Sequence, residues 1–108
     1  MPYANENRQT VVISKSTQAI AAIIAAPGAG KRVAIDFITI NPSGGANNIT
    51  MTGTIAPVFV LNDNQPLTFE NTIHNPTGIF LCDDNQAFSL TLSAATLVEG
   101  YIIYRIIE

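Results

Sequence analysis

The first stretch whose residue types could do chemistry is AAPGAGKR, residues 25–32. A glycine-rich turn closing on lysine can hold a phosphate when it follows G-x-x-x-x-G-K-[ST]. In that pattern backbone N–H groups turn inward, the lysine meets the anion and the hydroxyl holds magnesium. Aligned on Gly30 and Lys31, the first fixed glycine falls on Ala25 and the hydroxyl on Arg32. Pro27 stiffens the loop. The segment that follows, VAIDFITIN, has the pattern of a strand, where a phosphate loop opens a helix. The stretch therefore reads as a Pro-Gly turn between two strands, with Lys31 and Arg32 on its rim.

The other chemically equipped residues are sparse. NDNQ (62–65) and DDNQ (83–86) offer oxygen ligands of the kind calcium takes, but a full site needs six to eight oxygens. Asp63 stands alone and Asp83 and Asp84 are adjacent, so polar turns held by local Asp and Asn hydrogen bonds are the simpler reading. His74 is the one histidine, whereas jelly-roll metal enzymes converge several. A Ser-His-Asp set could be drawn on paper, but no G-x-S-x-G elbow is present, and His74 precedes the turn NPTG. The carboxylates Asp36, Glu70 and Glu99 are far apart in sequence and define no pair for glycoside chemistry. Cys82, the one cysteine, follows IFL and reads as a small buried apolar residue. The phenylalanines share strand faces with Ile or Leu and read as core. No catalytic set, cofactor site or metal site is expected.

Composition narrows the function classes further. The 108 residues bound a single domain with one core. Charged residues make up 12% of the chain, against about 25% in typical soluble domains, while hydrophobic residues reach 47%. A small domain with so few charges is expected to have part of its surface covered, most simply by copies of itself. A net charge of −3 argues against nucleic-acid binding, which calls for a basic patch. No apolar run is long enough for a membrane helix, and the polar opening MPYANENRQT lacks a secretory pattern.

The elements that must position these residues read as short strands. They are TVVIS (10–14), QAIAAIIAA (18–26), RVAIDFITIN (32–41), ITMTGTI (49–55), PVFVL (57–61), LTFENTI (67–73), IFLC (79–82), AFSLTLS (87–93) and GYIIYRII (100–107). The second has helical spacing at Ile20, Ile23 and Ile24, but it is short, uncapped and closed by Pro27-Gly28, so we read it as strand. PSGGANN (42–48) and HNPTG (74–78) are turns. Ile49, Met51 and Ile55 share one face, as do Phe88, Leu90 and Leu92. FVLNDNQPLTF (59–69) is echoed by FLCDDNQAFSL (80–90), which reads as two matched hairpins. The expected fold is all-β: one antiparallel, jelly-roll-like β-sandwich of about eight strands over 11–108, preceded by a polar arm over 1–10.

Alternation on the last strand carries the functional reading. Ile102, Tyr104 and Ile106 share one face, and Tyr101, Ile103, Arg105 and Ile107 the other. A strand with one wet face should alternate; this one is apolar on both. Strict alternation on RVAIDFITIN gives the same result, with Val33, Ile35 and Phe37 on one face and Arg32, Ala34, Asp36, Ile38 and Ile40 on the other. Arg105 suggests that the second face of the last strand meets something partly wet. Tyr101, Ile103, Ile107, Ile38 and Ile40 are the residues expected at an interface between copies.

APGAGKRVAIDFITI, then a Gly-rich turn, then NPTGIFLCDDNQAFSLTLSAATLVEGYIIY, resembles a family of small structural proteins of tailed bacteriophages. The shared features are a Pro/Gly-Lys turn opening a strand, a mid-chain NP-x-G-hydrophobic turn, and a closing L-x-L-S-A-A-x-x-V-x-G-x-hydrophobic-x-Y. Here the ending is Leu90, Leu92, Ser93, Ala94, Ala95, Val98, Gly100, Ile102 and Tyr104. The likeness spans about residues 25–104. This chain departs in having DDNQ where a glycine-containing turn is more usual, and more isoleucine in the last strand. The resemblance implies a non-enzymatic jelly-roll module, often trimeric, that decorates or cements the outer capsid surface through the major capsid protein or other virion proteins, or forms the base of head fibres. Such a protein is made in the host cytoplasm, and the first residues would be an arm reaching the shell. The alternative is a receptor- or glycan-binding module of a fibre or tail, organised by the two Asp-Asn loops.

Overall fold

A computed structural model of the chain describes residues 8–18, 21–53, 58–71 and 78–108. Among the described residues nine strands follow one another: β1 (Gln9–Lys15), β2 (Ala21–Ile24), β3 (Arg32–Asn41), β4 (Asn47–Thr52), β5 (Val58–Leu61), β6 (Leu67–Glu70), β7 (Phe80–Leu81), β8 (Phe88–Leu92) and β9 (Val98–Ile107). Among the described residues there is no helix. The alanine-rich second segment is a strand at its centre: Pro27 and the glycines behind it end the run before a helix could close enough turns to be stable.

The strands make two antiparallel sheets, one ordered β1-β9-β3-β6 with β7 also on β3, the other ordered β2-β8-β4-β5. Only β4 and β5 are neighbours in both sequence and sheet; the other ladders join strands distant in the chain. Eight strands in two interleaved four-strand orders form a jelly roll, and two-residue β7 is an addition to it. β1 takes in Gln9 and Thr10, so the sheet begins inside the segment expected to be an arm. The remaining arm residues 1–7 lie outside the described residues.

The inner faces meet in one core. Ile13, Val33, Ile35, Ile38, Ile40, Val98 and Ile102 come from one sheet, and Ile24, Ile49, Met51, Leu61, Phe88, Leu90 and Leu92 from the other. Cys82 is fully buried among them, as expected of a small apolar side chain. Phe59, Phe69 and Phe80 pack against this core in a file of rings with centroids 5.4 Å apart.

One irregularity decides which residues face outward. β3 pairs with β9 from Arg32↔Ile107 to Ile35↔Tyr104, then resumes at Phe37↔Ile103. Asp36 is the extra residue of a β-bulge. Asp36 and Phe37 both lie on the outer face, and from Ile38 onward the even-numbered residues point inward. Ile38 and Ile40, expected at an interface, are each 1% exposed in the core. Strict alternation misplaced them because a bulge shifts the period by one residue.

The closing sequence pattern has a local cause. Asn47, 2% exposed, accepts hydrogen bonds through Oδ1 from the backbone N–H groups of Ser93 and Ala94, at 2.9 and 3.3 Å. Its Nδ2 donates to Ala94 O and to Thr96 Oγ1, at 3.0 and 2.9 Å. The β8–β9 loop is thereby tied to the start of β4. Gly100 follows because β9 runs so close to β3 there that a Cβ would collide with the Thr39 carbonyl.

Candidate functional site

The outer face of the β1-β9-β3-β6 sheet gathers most of the residues flagged on β9. Val12 lies opposite Tyr101, and Tyr101 opposite Thr39; in the next row Thr10, Ile103 and Phe37 face one another, with Glu70 beyond. Phe37 stacks on Tyr101 with ring centroids 5.3 Å apart and planes 21° apart. Phe37 is thus an outward aromatic, not the core residue its neighbours suggested. Val12 is 73% exposed and Tyr101 40% exposed. Ile103 and Ile107 are half-buried on the same face. Hydroxyls frame the patch: Thr39 and Thr68 hydrogen-bond each other at 3.0 Å. Sequence reasoning missed Val12. Its signal was there in the alternation Thr10, Val12, Ser14, which leaves one valine among hydroxyls on the outward side.

Beneath this patch sits an ion pair that the sequence did not connect. The Arg105 guanidinium donates through Nε to Asp36 Oδ2 at 2.6 Å and through Nη2 to Oδ1 at 3.0 Å. Both residues are buried, at 5% and 4% exposure. Asn71 Nδ2 donates to Asp36 Oδ1 at 3.0 Å, the Asn71 amide donates to the Asp36 carbonyl at 2.8 Å, and Arg8 lies 3.5 Å from Oδ2. Burial pushes the Asp36 carboxyl upward. The hydrogen bonds from Arg105 and Asn71 and the charges of Arg105 and Arg8 outweigh it and hold the group below its ordinary value. Two-point contact with a planar guanidinium is the strong form of such a pair. Arg105 is therefore matched within its own chain, a correction to the expectation of a wet boundary. A shallow hollow of about 180 Å³ lies over the pair, lined by Arg8, Asp36, Phe37, Glu70, Asn71 and Ile103. Asp36 and Glu70 do meet around this hollow; Glu99 is elsewhere, accepting a 2.8 Å hydrogen bond from Ser43 Oγ.

The remaining sequence candidates are dispersed. The Asn64 amide donates to Pro42 O just beyond the end of β3, while the Asn85 amide donates to Lys31 O just before its start. The two Asp-Asn loops thus sit at opposite ends of the sandwich and cannot organise one ion. Nor are they hairpins, since each links strands of different sheets. What they share is a turn closed from residue one to residue four, with Asn64 and Asn85 in the left-handed region at φ 55 and 53. Among the described residues no three His, Cys, Asp or Glu side chains gather to hold a metal ion. His74 lies outside the described residues.

Two amides of the Gly-rich turn of residues 25–32 are engaged within the chain. The Gly28 N–H donates to Asn85 Oδ1 at 2.8 Å and the Lys31 N–H to Gly28 O at 3.1 Å, so neither points at an incoming anion. This loop rims a larger open cleft of about 510 Å³, lined by residues that include Ile24, Pro27, Lys31, Tyr104 and Glu108. Tyr104 donates its hydroxyl to Gln9 Oε1 at 3.1 Å beside it. A comparison of the chain with family models, with curated proteins and with solved structures finds no match.

Proposed function

We propose that the chain is a non-enzymatic structural module of a virion. In this reading it is a capsid decoration or cement protein whose copies associate through the outer face of the β1-β9-β3-β6 sheet. The observation that supports this most is the apolar patch of exposed Val12 and Tyr101 beside half-buried Phe37 and Ile103, over an ion pair that is already neutralised. An apolar sheet face left open on so small a domain is unusual for a monomer. The Arg105–Asp36 pair beneath it is matched internally, so covering that face does not leave those two charges unpaired.

The resemblance to tailed-phage structural proteins, whose implied fold the jelly-roll strand order matches, supports a trimer placed on the outer capsid surface. Several weak contacts from one trimer to the major capsid protein would add up to a strong attachment through effective concentration. Sedimentation of an Ile103→Asp variant tests the association face, with the melting temperature as the fold control. A smaller species that melts like the parent supports the reading; an unchanged oligomer removes this face from the interface. Co-sedimentation with intact particles tests the attachment.

A further inference from the structure

The edges of the two sheets are not equally protected. β2, β5 and β6 are four residues each. β2 also slips register against β8, and β6 follows Pro66 and carries Glu70 on its outer side. Short length, irregular register, proline and charge are the usual means by which an edge strand is kept from pairing with another chain. β1 lacks the first three, and its single charge is confined to its last residue. Its seven residues run in unbroken register on β9, from Gln9↔Tyr104 to Lys15↔Val98. It contains no proline, and its outward side chains are Thr10, Val12 and Ser14. Lys15, its one charged residue, is 7% exposed, on the same side as core residue Ile13. Among the described residues β9 is the only strand paired with β1, so one side of its backbone faces away from the sheet.

We propose that β1 pairs antiparallel with β1 of a second copy, about a two-fold axis at Val12, joining the two β1-β9-β3-β6 sheets into one. The sequence of the strand selects a second copy as its occupant. A two-fold axis perpendicular to the sheet keeps inner faces with inner faces, so some residue must stand opposite its own copy. Val12 is the middle of the seven, and centring there pairs the whole strand. Thr10 then meets Ser14, Val11 meets Ile13, Gln9 meets Lys15, and Val12 meets Val12. Hydroxyls face hydroxyls, core-side aliphatics face each other, and no like charges stand opposite, the arrangement cross-strand pairing favours. The 73% exposed Val12 is covered, and because it neighbours Tyr101 the apolar row becomes continuous across the axis. An extended peptide of unrelated sequence could use the same backbone groups, but it would not call for this match.

The inference rests on the self-association reading but concerns the edge of the sheet, where that reading concerns its face, and cysteine cross-linking separates them. Opposed Cα atoms in an antiparallel pair are about 4.5–5.5 Å apart, within the span a disulfide closes. Burial first, then Asp83, pushes the native Cys82 thiol up to about 11, so it does not compete in mild oxidation at neutral pH. Val12→Cys alone is expected to give a covalent dimer. Thr10→Cys and Ser14→Cys are each expected to stay uncross-linked alone and to give a dimer when mixed. Val12→Lys, at the same melting temperature, should weaken dimerisation by about two- to fivefold by placing like charges opposite one another. A folded Val12→Cys protein that sediments as an oligomer yet fails to cross-link overturns the edge pairing and leaves the association face standing. Thr10→Cys cross-linking to itself as readily as the mixture overturns the register. A monomeric parent chain overturns both.

Discussion

Replacing Arg105 with methionine should be among the most damaging single changes available to this protein. The side chains of Arg105 and Asp36 are 6% and 3% exposed. Taking away the guanidinium leaves a carboxylate with little water and a weaker set of partners, Asn71 and Arg8. Removing one partner of a buried pair costs about 3–5 kcal/mol, a large part of the roughly 5–15 kcal/mol that holds a small domain together. At about 4 °C per kcal/mol for a chain of this size, the melting temperature should fall by about 12–20 °C. Adding Asp36→Leu should recover most of that loss, because an apolar pair of similar volume replaces an ionic one at little net cost. The double-mutant cycle therefore reads the coupling directly. The pH dependence has a fixed sign. Asp36 titrates below its ordinary value of 3.8 when folded, so the unfolded chain binds the proton first. The stabilisation is in place above 3.8 and is lost as pH falls through the depressed value. The gap between parent and Arg105→Met should accordingly narrow on acidification. Calorimetry or thermal circular dichroism from pH 7 to pH 3 measures this. A loss under about 1 kcal/mol, or a gap that stays constant with pH, would refute the argument that the pair is buried and ionised.

Three further outcomes follow from local geometry. Gly100→Ala should lower the melting temperature by an amount equivalent to at least about 1–3 kcal/mol, since the new methyl group meets the Thr39 carbonyl and not a side chain that could move. Native protein at neutral pH should leave Cys82 unalkylated by iodoacetamide for hours, and chain unfolded in urea should label fully; fast native labelling would contradict its burial. The two echoed turns should respond differently to glycine. Asn64→Gly keeps the left-handed backbone and the amide bond to Pro42 and should change stability by less than about 0.5 kcal/mol, whereas Asn85→Gly also loses the acceptor for the Gly28 N–H and should cost about 1 kcal/mol.

The all-β class and the inside–outside sense of β9 were legible because the signal is local. Alternation on GYIIYRII places Ile102 in the core with Tyr104 and Ile106 against it, and leaves Tyr101 and Ile103 outside. Ile49, Met51, Phe88, Leu90 and Leu92 fall into the core for the same reason. Ile55, beside them in the expected strand, lies outside the described residues. β3 defeated the method at one point. A bulge requires knowing the partner strand, and no property of RVAIDFITIN alone marks Asp36 as the extra residue. The ion pair was hidden for a related reason: Asp36 and Arg105 are far apart in the chain, and only the antiparallel placement of β9 beside β3 brings them together. The echo between FVLNDNQPLTF and FLCDDNQAFSL was real at the level of the turn and misleading about the strands. A polar turn that fixes one left-handed asparagine looks the same from sequence whether it closes a hairpin or carries the chain from one sheet to the other.

The interruption in β3 has a simple reading as a splice. With Asp36 taken out, Ile35 would be followed directly by Phe37, and every other side chain of that strand would keep the side of the sheet it occupies now. The ladder would be more regular without it, and what would be missing is the acid that answers Arg105 and Arg8 and the two acceptors it offers Asn71. Position 36 and position 105 are therefore two halves of a single optional insert: a version of this domain with residue 36 excised and an aliphatic side chain at 105 would keep the same lining and the same coat, with a dry joint where the ionic clasp now sits.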